Sequence, residues 1–271
     1  MLISSLANPR VKQLRSLSTH KGRSEHALFL LEGPHLVEEA LRAQAKLAFC
    51  LLADDWPGKW TLAGEAAKWQ VPCYFATTRV MRQVGTTESA PQAVAAAHVP
   101  EVDVGRLRLP PDGLAALLFG VQDPGNLGTA IRTAAAAQAT AIVRAGPCAD
   151  FFHPKVVRAT AGALFRITLA SAEDPAQFAR HCAARGYQVC AAVARGGLAY
   201  RTLDYRRPTL FVLGSEAHGL PEELLSASSQ RVTVEMAAGV ESLNVAVCAG
   251  ILLFEARAQR TSPRQRGSSQ P

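Results

Sequence analysis

Three polar clusters in this 271-residue chain hold the residue types that place a reactive group beside accessible backbone. "DPGNLGTAIRTA" (123–134) sets Pro124, Gly125, Asn126 and Gly128 in a tight turn ahead of a helical stretch with one guanidinium, Arg132. "LGSEAHGL" (213–220) follows an apolar run with Gly214 and Glu216, and "VESLNVAVCAGILLFE" (240–255) puts Ser242 and Asn244 before a long helix. A guanidinium keeps its proton, so it suits holding a phosphate or a developing oxyanion better than removing a proton. Glycine at a helix start also offers unpaired N–H groups to an anion. The residues fit neither Gly-x-Gly-x-x-Gly nor a loop ending in Gly-Lys-Ser/Thr, which weighs against dinucleotide and triphosphate sites. Each residue alone has a plainer role: Asn126 in a turn, Arg132 as a solvated charge, Ser242 as a helix N-cap, Glu216 capping the turn after it.

The elements that must position these clusters alternate in kind. "LFLLEG" (28–33), "LAFCLLA" (47–53) and "PCYFAT" (72–77) read as strands; "PHLVEEALRAQ" (34–44), "TLAGEAAKWQ" (61–70) and "RVMRQV" (79–84) read as helices. This predicts a small, largely parallel α/β sheet. Residues 99–112, rich in proline and mixed charge, read as a linker. Beyond it, strands are predicted over 114–120, 140–145, 165–170, 187–193, 209–214 and 231–236, with a last helix over 241–260. In such sheets ligands bind beyond the carboxyl ends of strands, so the three polar clusters are expected at one edge.

The net charge of +7 is concentrated at the ends. Residues 1–25 hold Arg10, Lys12, Arg15, Lys21 and Arg23 against Glu25, and the chain after Glu255 holds Arg257, Arg260, Arg264 and Arg266 with no acid. Clustered cations favour a polyanion through counterion release, although a basic tail also serves solubility alone. Six cysteines form no Cys-x-x-Cys pair, which argues against a zinc site or a disulfide framework. Trp56, Trp60 and Trp69 are expected in a core rather than on a base-stacking surface. No apolar run is long enough to span a membrane and the start lacks a signal-peptide layout, so a soluble cytoplasmic protein is expected, with no membrane partner.

Taken in order, the three clusters resemble the motifs of the SpoU or TrmH family of RNA ribose 2'-O-methyltransferases, in the SPOUT superfamily. "NPRVKQLRSL" and "FLLEGPHLVEEAL" resemble the substrate-binding domain that many of these enzymes carry. The resemblance implies an α/β fold: an RNA substrate-binding domain over 1–98, the linker, a trefoil-knotted SPOUT domain with a mostly parallel sheet over 113–260, and a disordered basic tail over 261–271. It implies S-adenosyl-L-methionine as cofactor, held at Leu213, Gly214, Val234, Met236 and Leu243, and no metal. Gly214 suits this place because a side chain would obstruct a ligand approaching the backbone. Asn126, Arg132, Glu216, Ser242 and Asn244 are the implied catalytic residues, with Arg132 stabilising the ribose oxygen and Asn126 or Glu216 orienting it. Arg10, Lys12, Arg15 and Arg23 would grip the substrate.

The implied partners are RNA, ribosomal before transfer RNA, and a second copy of the chain in a homodimer. Arg158, Thr160 and Gly162 resemble a family segment that shapes the cofactor or dimer side, and His153 and His218 fall near the expected site. Glu235 stands where the family often has proline, which puts the cofactor loop in question. Two rivals remain: a non-catalytic RNA-binding or ribosome-assembly module with the same fold, and an α/β enzyme acting on a small nucleotide.

Overall fold

The computed structural model describes residues 2–100 and 102–262. The expected disordered tail, residues 261–271, falls outside these from 263 on, while Thr261 is the last residue of a helix. In chain order the first elements are β1 (Leu2–Ile3), α1 (Pro9–Ser16), α2 (His20–His26), β2 (Leu28–Glu32), α3 (Pro34–Arg42), β3 (Leu47–Ala53), α4 (Lys59–Lys68), β4 (Cys73–Ala76), α5 (Thr78–Val84) and β5 (Ala93–His98). They are followed by β6 (Val102–Asp103), β7 (Leu114–Phe119), α6 (Pro124–Ala136), β8 (Ala141–Ala145), α7 (Pro154–Thr160), β9 (Thr168–Ala172) and α8 (Pro175–Ala184). The chain closes with β10 (Gln188–Ala192), β11 (Leu198–Ala199), β12 (Thr209–Gly214), α9 (Glu222–Ser226), β13 (Gln230–Thr233) and α10 (Val245–Thr261). Two compact units form. Residues 2–100, with Asp123–Arg132 and Ala149–Leu169, make one; Val102–Gln122, Thr133–Cys148 and residues 170–262 make the other.

In the first unit the sheet order is β1-β4-β3-β5-β2. The pairs β1–β4 and β4–β3 are parallel, whereas β5 runs antiparallel to both β3 and β2, so the expected largely parallel sheet is mixed. β5 escaped the sequence reading because "AVAAAH" is alanine-rich, and alanine carries little strand preference; its first five residues are nonetheless buried. α1 starts on Pro9, with the Asn8 side chain accepting the Arg10 N–H at 3.0 Å. Val11, Leu14 and Leu17 are buried at three-residue spacing, which turns Lys12 and Arg15 outward. α7 packs on β2, where Phe29 meets Phe152 with ring centroids 4.8 Å apart. The tryptophans depart from expectation: Trp60 is 67% exposed and Trp69 47%, and only Trp56 packs against the core. They sit on or just beyond α4, whose buried positions are taken by Leu62 and Ala66.

The second unit is built on the sheet β11-β13-β10-β12-β7-β8-β9-β6. From β13 through β10, β12 and β7 to β8 every pairing is parallel. Strands buried on both faces read as unbroken apolar runs, which is why "LAALLF" and "TLFVLG" were legible. Leu117, Val143, Val189, Leu210 and Val212 form the centre of its core, each contributing about 1.5–3 kcal/mol by leaving water. The stretch read as a linker is partly structured: β6 pairs with Ala170 and Ser171, and Leu107 and Leu109 are buried. The strand expected over 165–170 begins instead as a 3-10 turn, Ala163–Arg166, before β9. α10 is held near its end by Arg260, whose guanidinium donates to the carbonyls of Tyr205 (2.8 Å), Asp112 (2.7 Å) and Arg207 (2.7 Å). Among the described residues no helix is long and apolar enough to cross a membrane, and no cluster of three or more His, Cys, Asp or Glu could hold a metal.

Candidate active site

The parallel strands β10, β12 and β13 deliver their carboxyl ends to one cavity of about 130 Å3 in the second unit. All five expected cofactor residues line it: Leu213 and Gly214 at the end of β12, Val234 and Met236 just past β13, and Leu243 before α10. Glu216 and Ser242 line it too, as do Ala192, Val193, Ala194 and Cys248, which the sequence reading missed. The alanines follow from β10 being the strand between β12 and β13, a sheet order that no local pattern reports. Burial pushes the Cys248 thiol up to about 11.

Gly214 is required for a reason nearer than a ligand. A Cβ there would lie 2.1 Å from the Gly219 carbonyl oxygen and 2.8 Å from the Leu220 nitrogen. The chain doubles back directly over it, Ser215 bridging to Gly219, whose φ of +63° suits a residue without a side chain. This turn is one wall of the cavity.

The turn is tied to the start of α10. Glu216 Oε1 accepts the Val245 N–H at 2.9 Å and the Asn244 side-chain N–H at 3.2 Å. Asn244 in turn caps the helix, its Oδ1 accepting the N–H groups of Ala246 (3.0 Å) and Val247 (3.3 Å). A carboxylate at the N-terminus of a 17-residue helix is also favoured by the helix dipole. The N-cap is therefore Asn244, not Ser242, and Glu216 caps α10 rather than the turn after itself. Ser242 stays exposed at the cavity's edge; Glu235, the residue found where proline was expected, is exposed and lies in sequence between the lining residues Val234 and Met236.

The remaining catalytic candidates lie on α6. That helix leaves β7, whose last residue Phe119 is in register with Gly214 of β12. Asp123 accepts the Asn126 N–H at 2.8 Å, so the glycine-rich stretch is the first turn of a helix rather than a free loop. Asn126 is half-buried and Arg132 exposed. Both belong to the segment 123–132 grouped with the first unit, whereas the structure brings together Leu213, Gly214, Glu216, Val234, Met236, Ser242, Leu243 and Asn244 within the second. His218 is exposed in the 215–219 turn.

Of the four expected substrate-binding cations, Lys12 and Arg15 are exposed, and Arg10 lies 4.0 Å over the Tyr74 ring. Arg23 corrects the expectation. It is 4% exposed and pairs with Asp150 at 2.5 Å while donating to the Leu17 carbonyl at 3.0 Å, so its charge is consumed inside the fold. Arg158, Thr160 and Gly162 also sit within the first unit. Arg158 pairs with Glu32 at 3.1 Å, the Thr160 hydroxyl donates to the Val157 carbonyl, and Gly162 abuts Glu39. His153 caps α7, accepting the Lys155 N–H; burial, then nearby Arg23, hold its imidazole below the usual value.

Residues 113–254 match the SpoU rRNA Methylase family, and residues 8–96 match the MRM3-like substrate binding domain. The 23S rRNA (guanosine(2553)-2'-O)-methyltransferase RlmP of Bacillus subtilis is 32% identical over 255 residues, covering 94% of this chain and 98% of the relative. The crystal structure of AdoMet-bound rRNA methyltransferase from Sinorhizobium meliloti is 33% identical with a TM-score of 0.87, covering 97% of this chain and 99% of that one. The SpoU methyltransferase AviRb from Streptomyces viridochromogenes, in complex with AdoMet, gives 26% identity and a TM-score of 0.83 over 93% of this chain and 99% of its own. With two family matches spanning both halves of the sequence, and relatives aligned along nearly all of it, this chain belongs to the SpoU rRNA methylase family.

Proposed function

We propose that this protein methylates a ribose 2'-oxygen of ribosomal RNA, using S-adenosyl-L-methionine. The observation that carries the proposal is the single cavity at the ends of β10, β12 and β13, lined by every residue expected to hold the cofactor. Its lining fits that group. Leu213, Val232, Val234, Met236, Leu243 and Val245 give apolar walls for a purine, the doubled-back chain at Gly214 leaves backbone rather than side chain at the surface, and the Glu216 carboxylate offers a partner for positive charge. When bound, the cofactor supplies an electrophilic methyl group on a sulfonium.

The protein's part is orientation and electrostatics. A ribose hydroxyl is a weak acid and a poor nucleophile, so attack needs charge stabilisation and alignment. Arg132, exposed on α6 and permanently charged, stabilises the developing alkoxide or grips the neighbouring phosphate. Asn126, one turn and a half earlier on α6, orients the ribose or that guanidinium. Glu216 and Asn244 hold the cavity wall to the start of α10, and Ser242 presents a hydroxyl at its edge.

The relatives named as 23S rRNA enzymes favour ribosomal over transfer RNA, and the cytoplasm, where ribosomes assemble, as the place of action. We extend the proposal to a homodimer with the trefoil knot of the superfamily. On α10, Val247 is 50% and Phe254 45% exposed, with half-buried Ile251 between them at helical spacing, an apolar stripe suited to a second copy. The test is transfer of labelled methyl from the cofactor to ribosomal and transfer RNA by the wild type and Arg132→Ala. The variant is expected to lose about 10²–10³-fold in kcat with unchanged cofactor affinity. Turnover within threefold of wild type would refute the role of Arg132. Cofactor binding without product from any RNA would favour the non-catalytic module.

A further inference from the structure

The first unit contains a second cavity, of about 440 Å3, between α1 and the turn after α5. Its polar lining includes Lys12, Arg15, Ser16, Ser18, Gln83 and Thr86, with no acidic residue. Among the described residues, neither Lys12 nor Arg15 has a hydrogen-bond or ion-pair partner for its side chain. Several other cations of this unit are paired, Arg42 with Glu39, Lys68 with Glu65, Arg166 with Glu39 and Arg158 with Glu32, whereas Lys12 and Arg15 both line this concavity. Two unmatched charges one helical turn apart, facing one concavity, form a site for an anion.

The opposite wall is fixed by a buried carboxylate. Glu32, 8% exposed at the end of β2, accepts the Thr86 N–H (3.0 Å), the Thr86 hydroxyl (2.5 Å), the Thr87 N–H (3.2 Å) and the Thr87 hydroxyl (2.7 Å). The Arg158 guanidinium completes its shell at 3.1 Å and donates to the Thr86 hydroxyl as well. The Glu32 carboxylate bound to Thr86 is thus neutralised by Arg158, and the turn carrying Gly85 and Thr86 is held in place before any ligand arrives.

We propose that this cavity is a phosphodiester subsite that grips the RNA backbone away from the methylated ribose, with Lys12 and Arg15 as its cations and the Glu32–Arg158 pair as its support. It rests on the RNA-methylating function proposed above. Phosphate contacts of this kind set register and orientation without reading sequence. Losing two of them lowers the slope of log affinity against log salt by about 1.4–1.8, which is roughly 10–30-fold in affinity at 0.15 M salt.

The test compares the full-length wild type, the double variant Lys12→Gln/Arg15→Gln, and Lys68→Gln, which removes a cation already paired with an acid. Binding to a ribosomal RNA fragment is measured across a salt series, together with KM, kcat and cofactor affinity. The double variant is expected to show the reduced slope and a KM raised about 10–30-fold, with kcat and cofactor affinity unchanged, while Lys68→Gln stays within twofold of wild type. Equal losses in the double variant and Lys68→Gln, or none in either, would overturn the subsite. A mononucleotide or inorganic phosphate binding at low millimolar concentration, with the same dependence on Lys12 and Arg15, would make it a small-anion site and overturn the RNA assignment. Wild-type protein that methylates no RNA would defeat the proposed function itself, a failure visible before any variant is made.

Discussion

Gly214→Ala is the substitution whose cost the structure specifies most closely. The added Cβ would stand 2.1 Å from the Gly219 oxygen and 2.2 Å from its carbon. Ordinary contact needs more than 3.4 Å, so the turn must move by over 1 Å, and the obstacle is backbone that cannot rotate aside. Overpacking of this kind costs about 1–3 kcal/mol. If the fold absorbs it, a chain this size loses about 2–4 °C in Tm per kcal/mol. If the turn opens instead, the cavity wall carries the strain, and 1–3 kcal/mol corresponds to roughly 5–150-fold weaker cofactor binding. Calorimetric titration with S-adenosyl-L-methionine, beside thermal unfolding, measures both routes. Gly219→Ala is the control: it has open space around its Cβ but a φ of +63°, so it should lose only about 1 kcal/mol from backbone strain. Gly214→Ala protein with wild-type Tm and wild-type affinity would refute the claim that this turn shapes the cofactor cavity.

Two further outcomes follow from titrating groups. Burial alone would raise the Glu32 pKa, but hydrogen bonds from Thr86 and Thr87 and the Arg158 charge outweigh it and hold the carboxyl below its ordinary value. A lowered folded pKa gives stability that is present above the unfolded value and lost as pH falls through the folded one. Glu32→Gln should therefore be less stable than wild type at pH 7 by urea unfolding, and the gap should narrow steadily below about pH 4.5. A gap of constant size down to pH 3 would contradict this. Cys248, with its thiol pushed up to about 11, is about one part in 1,000 thiolate at pH 8. Cys73, whose thiol is lowered by a hydrogen bond from Cys50, should be alkylated by iodoacetamide well before Cys248, as read by peptide mass mapping. Faster labelling of Cys248 would contradict its burial in the cavity wall.

The sequence revealed strands that are apolar along their whole length and glycines that are chemically conspicuous. β3 and β12 were found to the residue in "LAFCLLA" and "TLFVLG", because a central strand buried on both faces carries an almost unbroken apolar run. β5 was hidden by its alanines, and α1 and α2 by charge that drew notice before their spacing did. The residues expected to hold the cofactor stood out as motifs and line one cavity, but that cavity's third side, Ala192–Ala194, depends on β10 lying between β12 and β13. Long-range pairing was wholly invisible. Arg23 reads as a surface cation until its pairing with Asp150, 127 positions away, is seen, and Arg158, read as shaping the cofactor or dimer side, pairs with Glu32, 126 positions away. Glu216 was singled out from its motif and lines the cavity, yet its bonds to Asn244 and Val245 needed the start of α10, four residues later than periodicity suggested.

The central claim is chemical: the methyl group goes to a ribose oxygen of ribosomal RNA. Purified protein is incubated with methyl-labelled S-adenosyl-L-methionine and ribosomal RNA from cells lacking this gene, and the RNA is then hydrolysed with alkali. A methyl group on a 2'-oxygen blocks alkaline cleavage at that nucleotide, so the label should be recovered in alkali-resistant dinucleotides, at one position, and only with Arg132 intact. Label in mononucleotides, which places the methyl on a base, or no label in RNA despite cofactor binding, would contradict it.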